Sequence, residues 1–388
     1  MRSDDSILKI PAENCGLHRR RAVAPVDTRA AKGLEWVKDF RRFPKGFDHM
    51  STIRDVGRLA GVSISTVSLT LNHPDRVSVE TKRKVAEAAR AVGYTANPIA
   101  QSLKRGRSRL IGMVVTDITN PFFGNLLQEI ERCAMEADYL VIVSDTAGRE
   151  ANEKAILNHL SGQLVAGIIL QPCGHYLGTA DHIAALDMPC VLFDHKLTEI
   201  ESDFVGTDNV LACAMLTEHL IRLGHTRIGY IGGTTGLFTA EKRKQGFCDT
   251  MEASGLKVNQ SLMLDGGYNG QLGYEAAMRL MTHRADRPTA LLAASNVMAL
   301  GVLQACNDLA IACPEEVSIA GIDDVPWSSV IRPRITMAVQ PVADMARVAS
   351  RMLMDRIATA DPQAIPFRDV ILAPRLVIGQ STRALSAT

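Results

Sequence analysis

From residue 109 onward, apolar runs of strand length alternate with amphipathic helical segments, and the alternation occurs twice. Residues 110–116 match 227–232, residues 166–171 match 289–294 and residues 190–194 match 317–323, at offsets of 117, 123 and 127 residues. Near-continuous apolar strands are buried on both faces, which requires a parallel sheet covered by helices above and below. Amphipathic segments at 123–137, 151–160, 210–223 and 274–282 supply those helices. The repeat predicts an α/β body over residues 109–388, two similar lobes in tandem, with a cleft between their strand ends.

The chain ahead of this body has a different texture. Residues 50–97 read as an all-α unit of short helices over 52–59, 63–71 and 79–92, each preceded by a Ser or Thr suited to an N-cap and with Gly61 and Gly93 as stops. The stretch TIRDVGRLAGVSISTVSLTLN has the anatomy of a helix-turn-helix: Ile53, Val56, Leu59 and Ala60 are expected to face Val67 and Leu71 across a turn at Gly61. A second helix that opens on small polar residues fits the major groove of DNA. Its Ser63 and Thr66 hydroxyls suit phosphate oxygens, while Ile64, Ser65 and Leu69 would project toward base edges. A three-helix domain that binds protein is the plainer alternative.

Residues 98–108 form a hinge helix and linker in this reading. The segment that opens at Asn97 is too short for a stable isolated helix, yet it carries an Ile99/Leu103 pair at i, i+4 and a basic end. A piece that folds only on DNA, pressing an apolar wedge into the minor groove, has this pattern. A flexible linker whose Leu103 packs on the body has it too. Residues 1–49 show no sustained periodicity and are expected to be a disordered leader, or Met50 to be the true start.

Charge supports the division. The 43 Lys and Arg against 42 Asp and Glu give +1 overall, but residues 1–109 hold 22 basic and 11 acidic residues, leaving 21 and 31 for the rest. A +11 head on a −10 body points to a polyanion partner for the head.

The arginine-rich start lacks the apolar run of a secretory signal, and no window approaches the roughly 18 apolar residues of a membrane span. A cytoplasmic protein without membrane attachment is expected. The eight cysteines form no CxxC pair and have no His at zinc-ligand spacing, so buried reduced thiols, no metal and no cofactor are expected.

In open α/β sheets ligands bind beyond the carboxyl ends of the strands. Those ends carry Asp117 and Asn120-Pro121-Phe122-Phe123, then Asp194-His195, then Asp323-Asp324. Asp194 and Asp323 occupy equivalent places in the two lobes, and a facing carboxylate pair suits bidentate hydrogen bonds to neighbouring hydroxyls. Phe122, Phe123 and Tyr268 could supply apolar faces. Trp327 is expected in the core, and His195 is as readily a backbone-bonded buried residue as a ligand contact.

These motifs together resemble the lactose/galactose repressor family of bacterial transcription regulators, over residues 51 to about 380. The resemblance is carried by the helix-turn-helix stretch above and by VSVETKRKVAEAARAVGYTANPIAQSLKRG, IGMVVTDITNPFF, HLIRLGHTRIGYIGG and VSIAGIDD. It implies a dimeric repressor on a palindromic operator, with a periplasmic-binding-protein-like (type I) clamp for a sugar or related polyhydroxy effector. Thr52, Ser63, Thr66, Asn72, Ser78 and Thr81 would then approach the DNA backbone, with Arg76 as a further contact. Ile64, Ser65 and Leu69 would sit at base-reading positions, Leu103 would be the minor-groove wedge, and Asn97 belongs to the same DNA-binding set. Phe122, Phe123, Asp194, His195, Arg243, Tyr268, Ser295 and Asp323 fall at effector positions.

Two departures stand out. The family most often has Arg or another polar residue where this chain has Leu69, so a weaker guanine preference is expected there. Ser295-Asn296 replaces the usual Asn-Asp, making the cleft less acidic. Two other classes share parts of the pattern. A transporter's solute-binding protein would have the clamp but need export and no head, and a sugar-processing enzyme would use the carboxylate pair catalytically.

Overall fold

The computed structural model describes residues 51–94, 107–174, 179–283, 287–359, 361 and 364–385, without the side chains of Asn72 and Thr179. The chain forms two compact units that part between Ala96 and Asn97. Asn97, Leu103 and the expected hinge helix lie outside the described residues, as does the leader.

The first unit contains α1 (Ile53–Ala60), α2 (Ile64–Asn72), a 3-10 turn at Pro74–Arg76 and α3 (Val79–Ala91). Each helix starts where a hydroxyl-bearing residue can cap it. Thr52 donates from both its amide and its hydroxyl to Asp55 Oδ2, at 3.0 and 2.7 Å. Ser63 and Ser78 accept from the amides of Thr66 and Thr81 at 3.1 and 3.2 Å. α1 stops at Gly61, whose φ of 66° is readily available only to glycine. Val56, Val67, Val85 and Ala88 form the small core, with Ile53, Ala60 and Val62 packed against it. Leu59 and Leu71, expected to pack across the turn, are instead exposed. The inward face of α1 runs through Ile53, Val56 and Ala60, and Leu59 lies about 100° away from its neighbour Ala60 on the helix.

The second unit has two six-stranded sheets. The first uses β1 (Leu110–Val115), β2 (Leu140–Asp145), β3 (Gly167–Leu170), β4 (Cys190–Phe193), β5 (Asp203–Thr207) and β11 (Asp369–Leu372), in the order β11-β5-β4-β3-β1-β2. The other uses β6 (Ile228–Gly232), β7 (Met263–Asp265), β8 (Ala290–Ala293), β9 (Ser318–Ile322), β10 (Thr336–Val339) and β12 (Arg375–Val377), in the order β12-β10-β9-β8-β6-β7. The shared order is the physical form of the sequence repeat. Pairing is parallel except that edge strand β12 runs antiparallel to β10.

Helices cover both faces of the first sheet. On one side α4 (Pro121–Glu136) and α11 (Val342–Ala358) pack against Ile111, Met113, Ile169 and Val205. On the other, α5 (Glu150–Gly162) and α6 (Thr179–Ala184) pack against Val114, Ile168, Leu170 and Phe204. In the second lobe α7 (Asn209–Arg222), α8 (Phe238–Ala253), α9 (Gly270–Met281) and α10 (Asn296–Asp308) share one core with their sheet.

The lobes are consecutive only in part. After β10 the chain returns to the first lobe for α11 and β11, then goes back for β12. Three segments therefore cross between lobes, at 207–209, 340–342 and 372–375. Trp327 is 48% exposed and so is not a core residue: it sits in the loop beyond β9, past the last strand position that the sheet buries. Of the described cysteines, Cys173, Cys213 and Cys306 are buried, while Cys133, Cys190, Cys248 and Cys313 are only partly covered.

Candidate ligand cleft and nucleic-acid interface

A cavity of about 520 Å³ opens where the strand ends of the two lobes meet, and all eight effector candidates line it. Its volume lies in the usual range for small-molecule sites. Asp194 follows β4 and Asp323 follows β9, so the two carboxylates come from equivalent strand ends. Each peptide N–H keeps the sheet ladder going, Asp194 to Val205 O and Asp323 to Ala338 O, both at 2.9 Å. The backbone then turns left-handed, with φ of 63° and 72°. Aspartate tolerates that region better than most residues, and such positions concentrate where a ligand is held. Tyr268 and Ala147, both lining the cavity, are also left-handed at 55° and 50°.

The carboxylates are fixed by a device that sequence reasoning missed. Gln171 Nε2 donates to Asp194 Oδ2 at 2.8 Å, and Gln340 Nε2 donates to Asp323 Oδ2 at 2.9 Å. Gln171 is itself held, its Oε1 accepting from the Thr116 amide and hydroxyl at 3.2 and 2.7 Å. In each aspartate Oδ1 is buried and has no protein partner. Buried acceptors without donors are costly, and both belong to residues that line the one cavity. Burial pushes the Asp323 carboxyl up to about 6, against the opposing pull of Arg243 and Gln340, and the Asp194 carboxylate adds to the rise.

Arg243, on α8, is 4% exposed. Its Nε donates to Asn209 Oδ1 at 2.7 Å and its Nη1 to Ala294 O at 2.6 Å. The guanidinium lies 5.5 Å from the Tyr268 ring centroid, within cation–π range. Desolvation opposes its charge, but Tyr268, Asp323 and Asp194 outweigh that and raise its pKa. Asn209 in turn donates from Nδ2 to Thr207 O at 3.0 Å, on the first segment that crosses between the lobes. The cleft cation is thereby tied to a crossing segment.

Tyr268 donates to or accepts from Thr239 Oγ1 at 2.9 Å, and burial pushes its phenol up to about 12. Its ring needs Gly233, where a β-carbon would sit 2.3 Å from ring atoms. His195 is buried, with Nε2 3.4 Å from Asp194 Oδ2 and 3.5 Å from Thr239 Oγ1, and its amide bonds Phe193 O at 2.7 Å. Phe122 and Phe123 meet edge to face at 5.0 Å and are each 5% exposed, so they serve the lobe core as well as the cleft wall. Ser295 is the N-cap of α10, its hydroxyl accepting from Met298 N at 3.4 Å. The missed residues are ordinary polar side chains in sequence: only a strand-end position marks Gln171 and Gln340, and Thr239 lies in the first turn of α8.

In the first unit, Thr52, Ser63, Ile64, Ser65, Leu69, Arg76 and Ser78 are exposed, and Thr66 and Thr81 are partly so. The hydroxyls of Ser63, Ser65 and Thr66 cluster within 2.8 Å of one another through Ser63. The start of α2 therefore gathers three hydroxyls at a helix N-terminus whose third amide, that of Thr66, is already bonded to Ser63, and helix N-termini of this kind suit a phosphate. Among the described residues, no group of three or more His, Cys, Asp or Glu could hold a metal, and no helix is long and apolar enough to cross a membrane.

Residues 52–97 match the model of bacterial regulatory proteins of the lacI family, and residues 217–382 match the periplasmic binding protein-like domain. Over 343 residues the chain is 32% identical to the HTH-type transcriptional repressor PurR of Haemophilus influenzae strain PittEE, covering 87% of this chain and all of that one. Among solved structures, the complex of the transcriptional regulator CelR with cellobiose is 25% identical with a TM-score of 0.65, over 85% of this chain and 99% of that chain. The lac repressor dimer bound to operator and the anti-inducer ONPF aligns with a TM-score of 0.76 at 24% identity, over 87% of this chain and all of that one, and shows the shared fold.

Proposed function

The chain belongs to the lacI family of bacterial regulatory proteins, and from that premise we propose that it is a cytoplasmic repressor that binds a palindromic operator as a homodimer under the control of a sugar or similar polyhydroxy effector. The observation that carries the effector reading is the pair of buried, partnerless Oδ1 atoms on Asp194 and Asp323 beside the buried Arg243. Two acceptors and one cation in the cleft between the lobes match vicinal hydroxyls, which both donate and accept. A neighbour of similar fold that is a complex with cellobiose favours a saccharide over other polar ligands. Relatives named as repressors favour binding of that molecule unchanged over its turnover.

Residues 50–97 act as the DNA-binding domain in this reading, 98–108 as the hinge and 109–388 as the effector and dimerisation body. Dimerisation follows from the half-site arithmetic of a helix-turn-helix, since two heads on a two-fold axis read two half-sites. Effector closes the lobes, and the three crossing segments transmit the change toward the hinge. Selection of duplexes from a random pool, with and without a panel of neutral mono- and disaccharides, tests the whole reading. An inverted repeat whose recovery one sugar alters is expected. Failure to select any duplex, or chemical conversion of the sugar by the protein, would overturn it.

A further inference from the structure

The outward face of α2 is uncharged and bears two aliphatic side chains among hydroxyls. Its sequence, ISTVSLTLN, contains no Lys, Arg, Asp or Glu. At about 100° per residue, positions 64, 65, 68 and 69 fall in one sector of about 140°, and Val67 and Thr70 lie on the opposite side. Val67 and Thr70 are buried at 0% and 8%, so the sector faces outward. On it, Ile64 is 46% exposed and Leu69 37%. Ser65 stands between them, its hydroxyl 2.7 Å from Ser63 Oγ.

A single exposed aliphatic side chain is commonplace. Two on the reading sector of one helix are not neutral when that helix belongs to a unit with 7 basic and 4 acidic residues over 50–96, followed by four more basic residues over 97–109. That surplus and the hydroxyl-capped start of α2 select duplex DNA as the occupant. In the major groove the C5 methyl of thymine is the one large apolar group that a base edge presents, beside the donors and acceptors. Against guanine N7 and O6, Ile64 and Leu69 would strip water and return no hydrogen bond, whereas against a thymine methyl they bury apolar surface at no polar cost.

Resting on the DNA-binding reading above, we infer that this protein recognises its operator half-site through thymine C5-methyl groups seated on Ile64 and Leu69, not through a bidentate contact to guanine. Basic side chains and cap hydroxyls supply sequence-independent affinity, and the two aliphatic residues supply the discrimination.

The test uses the full-length protein and the duplex recovered by selection. Deoxyuridine replaces thymine in the half-sites, which deletes the methyl group and leaves base pairing intact. Each contacted thymine should weaken binding about fourfold, and about sixteenfold when symmetric positions in both half-sites are replaced together. Restoring the methyl groups one position at a time should locate two sensitive positions per half-site. Leu69→Ala should abolish sensitivity at one of them and Ile64→Ala at the other; both residues are exposed, so the fold is retained. A deoxyuridine operator bound as tightly as the thymine one overturns the inference while leaving DNA binding in place, as does an invariant guanine at a position protected only when Leu69 is present. Selection that recovers no duplex while a protein partner protects Ile64 and Leu69 overturns the DNA-binding reading itself.

Discussion

Asn296 Nδ2 donates to Asn120 Oδ1 at 3.2 Å, joining the first residue of α10 in one lobe to the N-cap of α4 in the other. The Asn120 oxygen also accepts from Phe122 N at 3.1 Å, and Asn296 Oδ1 accepts from Val297 N at 2.7 Å. Both amides are therefore oriented by their own helices, and residue 296 has to be the donor across the cleft. A carboxylate there would set acceptor against acceptor.

Asn296→Asp should accordingly open the cleft. The radius of gyration of the ligand-free protein should rise in small-angle scattering, and the effector Kd should rise about tenfold, the usual scale for replacing a buried hydrogen bond by an unsatisfied group. Asn120→Ala and Asn296→Ala should be strongly non-additive when combined. Additive losses would mean that the two amides act separately.

Arg243→Ala should raise the effector Kd by at least 100-fold in calorimetry while leaving operator affinity without effector nearly unchanged. It leaves Asn209 Oδ1 and Ala294 O without their donor, so the thermal midpoint of the body should fall as well, by the equivalent of about 2–4 kcal/mol. Loss of operator binding in the absence of effector would place Arg243 in the DNA-linked machinery and not in the ligand site.

The Asp323 carboxyl, raised to about 6 from the ordinary 3.8, gives a pH signature with two opposite signs. Between about pH 4 and pH 6 the folded protein keeps a proton there that the unfolded chain has released, so this group stabilises the ligand-free fold as pH falls through 6, by on the order of 3 kcal/mol. Its contribution is complete below about pH 4 and gone above 6. Effector affinity should do the reverse, falling as pH drops through 6, because the protonated acid has lost an acceptor that hydroxyls require. Asp323→Asn should flatten both profiles in denaturation and calorimetric titrations.

In the first lobe Asp203 is fully buried and held by Arg356 Nε at 2.5 Å and by the Arg368 amide at 2.9 Å. Arg356→Met should cost about 3 kcal/mol in urea unfolding, since it leaves the buried Asp203 charge to the longer 3.4 Å pairing with the Arg368 guanidinium. The double change Asp203→Asn with Arg356→Met should recover part of that loss.

Much of this arrangement was legible in the chain. Ser63 and Ser78 marked helix starts because capping is local, and the repeated apolar runs marked strands because a buried parallel strand has no polar face to show. Asp194 and Asp323 could be paired because strand ends define a ligand-facing edge. Gln171 and Gln340 could not, since their partners lie 23 and 17 residues away on neighbouring strand ends. The 176-residue separation of Asn120 and Asn296 carries no sequence signal either. Leu59, Leu71 and Trp327 look like core residues by type and are exposed by position.

The sequence by itself determined the helix-turn-helix, the two α/β lobes and the basic head, because periodicity, caps and charge act over a few residues. Strand pairing, in contrast, sets the return of α11 and β11 to the first lobe, the three segments that cross between lobes, and the one oxygen of each cleft aspartate without a protein partner. Those outcomes depend on which strand lies beside which, and side-chain hydrogen bonds are satisfied or left open only once the sheets have assembled.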